Sequence, residues 1–211
     1  MAPPPVARKL EIAGPAGALE ALLEEPAEFN RTAFGVICHP HPLHGGTLQN
    51  KVVHTLARAL HDVGTATLRF NFRGVGGSTG AFADGIGETE DALAAVEFGR
   101  ARWPGAVPWL LGFSFGAMVA LRAAVRVDAQ RLVTVAPAVG RVEVGDALPS
   151  CPWLLIQGDA DDVIDAKAVL DWAQGLARSP IVRLLEGAGH FFHGRLPELR
   201  EAVVEFLQST S

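Results

Sequence analysis

Residues 108–125 read "PWLLGFSFGAMVALRAAV". An apolar run ends at Gly112-Phe113-Ser114-Phe115-Gly116, and a run of helical period begins at once. This is G-x-S-x-G with a strand before it and a helix after it, the context in which such a serine is a nucleophile. The reason is steric. A strand and helix joined so tightly leave no room for side chains at the two flanking positions, so glycine fills them. Ser114 is then expected in a strained backbone conformation with its hydroxyl projecting from the sheet. Its place at a helix N-terminus favours negative charge developing nearby, and the N–H of Phe115 is aimed where an oxyanion can form. The bland alternative is a Gly-rich β–α turn without chemistry, and the rest of the chain has to decide between the two.

Outward from this turn, short apolar runs recur at "AFGVIC", "TATLRF", "RLVTV", "PWLLIQ" and "IVRLLE". Runs without alternation suit strands buried on both faces of a parallel sheet. Helical period lies between them. Val53, Leu56, Leu60 and Val63 share one face over about 50–63; Val169, Trp172, Ala173 and Leu176 share another, with Asp165 as N-cap; Leu199, Val203 and Phe206 mark a last helix. At the start, "RKLEIAG" and "ALEALLEE" flank "PAG" and predict a hairpin at a sheet edge, after five frayed residues. The alternation predicts one α/β domain over 1–211 with helices on both faces, and ligands in such sheets sit at the carboxyl ends of the strands.

A serine needs a base, and the base a carboxylate. In an elbow-bearing sheet the order is serine, acid, histidine. Only His190 and His193 follow Ser114. His190 comes directly after "GAG" in "LLEGAGHFFHG", past the last predicted strand, and is favoured; His193 beside Gly194 reads as a surface or rim residue. The acid should follow "PWLLIQ", where the chain reads "GDADDVID". Asp165 is taken by the helix cap and Asp159 by loop amides. Of Asp161 and Asp162, Asp161 is favoured. A solvated acidic loop would explain the charges but not their place after this strand.

A second oxyanion donor should come from the loop after an earlier strand. "Cys38-His39-Pro40-His41-Pro42-Leu43-His44-Gly45-Gly46" follows "AFGVI". Pro40 and Pro42 have no N–H to give, which leaves His41, Leu43 or His44; His41 is chosen by position, with Leu43 next. Three histidines in six residues also invite a zinc reading. The loop has no acidic residue and no nearby cysteine pair, so no metal is expected. "Asn71-Phe72-Arg73-Gly74-Val75-Gly76-Gly77-Ser78" begins a G-x-G pattern, but "AFADG" intervenes before the helix expected at about 87, whereas a phosphate loop opens straight into its helix. It reads as a tight active-site loop with Arg73 packed, paired or touching substrate. Phe82, Phe113, Phe191 and Phe192 are candidates for an apolar substrate pocket.

Composition narrows the classes. The 211 residues are 49% hydrophobic and 19% charged with net charge −5, a globular balance without the basic footprint of a nucleic-acid binder. No apolar stretch approaches the roughly 20 residues that span a bilayer, and "MAPPPVARKL" lacks a signal-peptide core. A cytoplasmic protein without membrane or nucleic-acid partners is expected, with Cys38 and Cys151 as buried thiols.

With "HPHPLHGG" after one strand, "NFRGVGGSTG" after the next, "GFSFGA" at the elbow, "GDADDV" at the acid and "GAGHFF" at the base, the chain resembles the α/β-hydrolase superfamily, specifically its small lidless bacterial members. It is similar, more distantly, to dienelactone hydrolases and other small carboxylesterases. The likeness runs from about residue 6 to 207. It implies an eight-stranded, mostly parallel sheet, with Ser114, Asp161 and His190 as a catalytic triad. Where many relatives insert a cap, this chain has only "APAVGRVEVGDALPS" between two strands, so no cap domain is expected. The expected activity is hydrolysis of small carboxylic esters without a cofactor. A catalytically idle module that binds a partner or ligand is the rival, and thioesterase or amidase activity is the other alternative.

Overall fold

The structure, a computed structural model, describes residues 5–141 and 147–209. The expected fraying of the N-terminus falls largely on residues outside that range. Eight strands form one sheet among the described residues: β1 (Val6–Gly14), β2 (Gly17–Glu25), β3 (Ala33–Cys38), β4 (Ala66–Phe70), β5 (Val107–Phe113), β6 (Arg131–Val135), β7 (Trp153–Gly158) and β8 (Ile181–Leu185). Their order across the sheet is β1-β2-β4-β3-β5-β6-β7-β8. β1–β2 is the expected edge hairpin, and β2 runs antiparallel to β4; the pairings from β4 to β8 are parallel.

Among the described residues, five α-helices cover the faces. α1 (Lys51–Asp62) and α5 (Leu196–Gln208) pack on one side, where Val53, Leu56 and Leu60 meet Leu199, Val203 and Phe206. α2 (Ile86–Arg102), α3 (Phe115–Val127) and α4 (Ala166–Gly175) pack on the other. Asn50 caps α1 by accepting the Val52 N–H, and Asp165 caps α4 by accepting the Lys167 N–H, each satisfying an amide the helix cannot. The central strands β3 and β4 are buried at every residue, as unalternating apolar runs require.

One strand departs from expectation. "IVRLLE" reads like the buried strands, yet β8 is the far edge of the sheet, and Ile181, Val182 and Leu184 are exposed. An apolar run reports β propensity; whether a neighbour covers it is decided by strand order.

Candidate active site

β3 and β5 lie side by side with Cys38 opposite Gly112, so the loops leaving both strands start level. From β3 the chain goes by way of α1 to β4 on one side, then by way of α2 to β5 on the other. The carboxyl ends of β3 and β5 therefore flank the point where the winding reverses, the place where open α/β sheets bind ligands.

Ser114 stands at that point with φ 56° and ψ −118°. A non-glycine residue there carries strain of about 1–3 kcal/mol that its surroundings must hold. Its N–H donates to the Val135 carbonyl at 2.8 Å, and its own carbonyl accepts from Ala117 and Ala138. The flanking glycines are needed for two different close approaches. A Cβ on Gly112 would lie 2.1 Å from the Gly116 oxygen, across the turn itself. A Cβ on Gly116 would lie 2.3 Å from the His39 oxygen and 2.4 Å from that of Cys38. The second glycine thus lets the loop after β3 press against the start of α3.

His190 Nε2 is 3.1 Å from Ser114 Oγ, and its Nδ1 is 2.8 Å from Asp161 Oδ2. The imidazole is 3% exposed and the Asp161 side chain fully buried. Phe192, at φ 52° and wholly buried in the α1/α5 core, anchors the loop that carries His190. The Asp161 carboxylate is saturated: Oδ1 accepts the Val163 and Ile164 N–H groups at 2.9 and 2.8 Å, and Oδ2 also accepts from Gln157 Nε2 at 2.9 Å. Burial pushes its pKa up, but the bonds from His190 and the two backbone amides outweigh that and hold it below the ordinary aspartate value. Asp159 accepts the Gly187 N–H at 2.6 Å, tying the acid loop to the histidine loop, and Asp162 is exposed.

The loop after β3 is set by His39. Its Nε2 accepts the Phe72 N–H at 3.0 Å, so the ring's proton is on Nδ1, which donates to the Pro40 carbonyl at 2.6 Å. That carbonyl shares a trans peptide with the His41 N–H, and the two point opposite ways. With the carbonyl drawn to the buried ring, the His41 N–H points away from that ring, and Pro40 and His41 both line a cavity. Leu48, further along the loop, is clamped by β4 and the residue just past it: its N–H donates to Asn71 Oδ1, and its carbonyl accepts from Arg69 Nη1. Only the loop's place was evident in the sequence; His39 and Asn71 as its struts were missed. A histidine just past a buried strand, before two prolines, was the available signal.

A cavity of about 510 Å³ opens above Ser114 and His190. Phe82 and Phe115 stack with the His41 ring on one wall, Phe191 forms another, and Asn50, Asp84 and Arg141 add polar groups that the sequence did not single out. Phe82 and Phe191 thus stand where expected. Leu43 and Phe113 do not, and Arg73 is paired rather than touching substrate. Leu43 faces solvent, its N–H donates to His41 Nδ1 at 3.2 Å, and it does not line the cavity. Arg73 is locked on the buried Asp91 through Nε and Nη2, at 3.0 and 2.7 Å, and does not line the cavity. A guanidinium beside a desolvated carboxylate has no better partner to seek. Phe113, the last residue of β5, points into the core behind the site and packs against the His190 ring, centroids 5.0 Å apart. Phe192 is core for the reason given above, and His193 stacks on Phe191 outside the cavity lining.

A family model described as Hydrolase_4, serine aminopeptidase S33, matches residues 41–150. The chain belongs to this family of α/β serine hydrolases. The matched span holds the Ser114 turn of the hydrolase; Asp161 and His190 lie beyond it. The fold is similar to that of an α/β serine hydrolase without a lid from Xanthomonas campestris, at TM-score 0.92 and 40% identity over 97% of both chains. A serine hydrolase homologue from Coxiella burnetii gives TM-score 0.91 and 43% identity over 95% of this chain and 97% of that one. An uncharacterized protein of Rickettsia prowazekii is 35% identical over 92% of this chain and 86% of its own. As in the Xanthomonas protein, no cap domain stands over the cavity among the described residues, and no helix among them is long and apolar enough to cross a membrane.

Proposed function

We propose that the hydrolase cleaves small carboxylic esters through an acyl-enzyme, with Ser114 as nucleophile, His190 as base and Asp161 as the carboxylate that orients it. The observation that carries this reading is the unbroken relay from Ser114 Oγ to His190 Nε2 at 3.1 Å and from His190 Nδ1 to Asp161 Oδ2 at 2.8 Å. Asp161 holds the proton on Nδ1, so Nε2 has its lone pair toward the serine. As Ser114 attacks the ester carbonyl, its proton passes to Nε2. The Phe115 and His41 N–H groups hold the oxygen that becomes negative, and the start of α3 adds its positive pole. The tetrahedral adduct collapses, the alcohol leaves with the proton from Nε2, and water repeats the sequence to free the acid.

The cavity supports a small, partly apolar substrate: rings line it, and its volume is at the smaller end of ligand sites. The chemistry needs only side chains and backbone of this chain, so the reading includes no cofactor. Turnover of short-chain nitrophenyl esters by the wild type, with a loss of at least about a thousandfold in Ser114→Ala, is the expected result. Equal rates in the two would remove Ser114 as nucleophile. A fluorophosphonate that fails to label the folded wild type would favour the idle binding module.

A further inference from the structure

Strand β7 reads "WLLIQG", and one amide interrupts a strand that is buried at every residue. Gln157 is wholly buried, so its side chain meets no solvent and its bonds within the protein are all it has. Nε2 donates to Asp161 Oδ2 at 2.9 Å and to the Gly158 carbonyl at 3.3 Å, while Oε1 is one of two buried side-chain polar atoms without a partner among the described residues. A buried strand position with one polar end satisfied and the other stranded is costly beside leucine or methionine. The satisfied end is therefore what the residue supplies. The amide can face only one way. Turning it over would set Oε1 against Oδ2, two acceptors at hydrogen-bond distance around an ionised carboxylate.

We propose that Gln157 is a positioning residue for the hydrolytic site, holding Asp161 Oδ2 in line with His190 Nδ1. The proposal rests on the triad reading above. Its logic is geometric. Oδ1 is fixed by two backbone amides of its own loop, which moves with Asp161. Oδ2 has only Gln157 and His190. Of these, Gln157 stands on a sheet strand that is paired on both sides, with β6 and β8, whereas His190 rides on a loop and is itself the group to be aligned. Without the amide, Oδ2 is held by the very ring it must hold, and the carboxylate is free to turn away when the imidazole does. The imidazolium formed during acyl transfer then loses its aligned counter-charge.

Gln157→Met and Gln157→Leu keep the volume and remove the donor. Both are expected to lower kcat by about tenfold to a hundredfold with KM changed less than about threefold, and to move the acid limb of the kcat/KM profile to lower pH, because the imidazolium is less stabilised. A limb that stays in place or moves to higher pH overturns the proposal, as does an unchanged kcat. Should either variant fold poorly, Gln157→Glu supplies a donor only while its carboxyl is protonated; it is expected to gain in kcat, relative to wild type, as the pH falls. A ratio independent of pH in that variant counts against the proposal. Fluorophosphonate labelling separates the two readings: a wild type inert to the probe fails the triad itself, and a labelled wild type with unaltered Gln157 variants fails only the role given to Gln157.

Discussion

Two loops of this hydrolase carry histidines, and each buries one. His39, after β3, is fully buried; His190, after β8, is 3% exposed. Burial does not distinguish them. Partners do. His39 spends both ring nitrogens on the backbone, one on the Pro40 carbonyl and one on the Phe72 N–H. With no carboxylate to favour a charge, burial pulls its pKa down to about 4 despite the bond to Pro40. His190 instead spans a carboxylate and a hydroxyl. One ring is a strut that stays neutral; the other stands where the proposed mechanism needs a base. A buried histidine is therefore read by what its second nitrogen faces, and not by its depth.

The largest expected effect breaks the downstream loop. His190→Ala should lower kcat/KM on a nitrophenyl ester by at least about a thousandfold, whereas His193→Ala, three positions on, should stay within about twofold. Comparable losses in both would undo the assignment of the base. Next comes the strut. His39→Gln should lower kcat by about a hundredfold with little change in KM, the signature of a misaimed oxyanion donor; a rise in KM alone would mean that His39 shapes the cavity and not the donor.

The same contrast predicts a pH dependence of stability. Unfolded, His39 takes a proton near pH 6.5; folded, it does so only near 4. Between those values the unfolded chain binds the proton and the native one does not. Stability is thus full above pH 6.5 and declines as pH falls toward 4, by roughly 3 kcal/mol for this residue. His61, drawn down to about 4 chiefly by burial, contributes a parallel loss. Urea unfolding at pH 7 and 4.5 should show the drop, and His39→Gln should flatten it by about half; a slope untouched by that change would mean that the ring is not held neutral. The smallest effect checks that the Leu43 side chain stands outside the cavity. Leu43→Ala, an exposed change that leaves every N–H in place, should shift stability by under about 0.5 kcal/mol and leave kcat within about twofold; a large loss of kcat would return Leu43 to the site.

Ser114 and His190 were legible because their chemistry demands a local pattern: glycines where backbone meets backbone, and a histidine freed by "GAG" past the last strand. Asp161 could be narrowed to a pair from the two neighbouring aspartates whose local tasks, a helix cap and loop amides, the sequence explains. Whether Arg73 pairs or touches substrate, and whether Phe113 lines the pocket or packs behind it, stayed open in the sequence because a long cation and a ring next to a site read the same whether they face the ligand or a buried partner. Asp91, which takes Arg73, lies in mid-helix 18 residues away with nothing local to mark it. The polar groups Asn50, Asp84 and Arg141 escaped notice for the same reason: each is ordinary in its own stretch of chain.

By itself the sequence determined the kinds of element, their order, and the turn that no residue but glycine could flank, since propensity, periodicity and steric closeness act over a few residues. Which strand became the exposed edge, how the loop after β3 is braced, and which acid meets the imidazole were decided only by the tertiary structure. The last two depend on partners 33 and 29 positions apart, and hydrogen bonds over such separations form only after the sheet has fixed who stands next to whom.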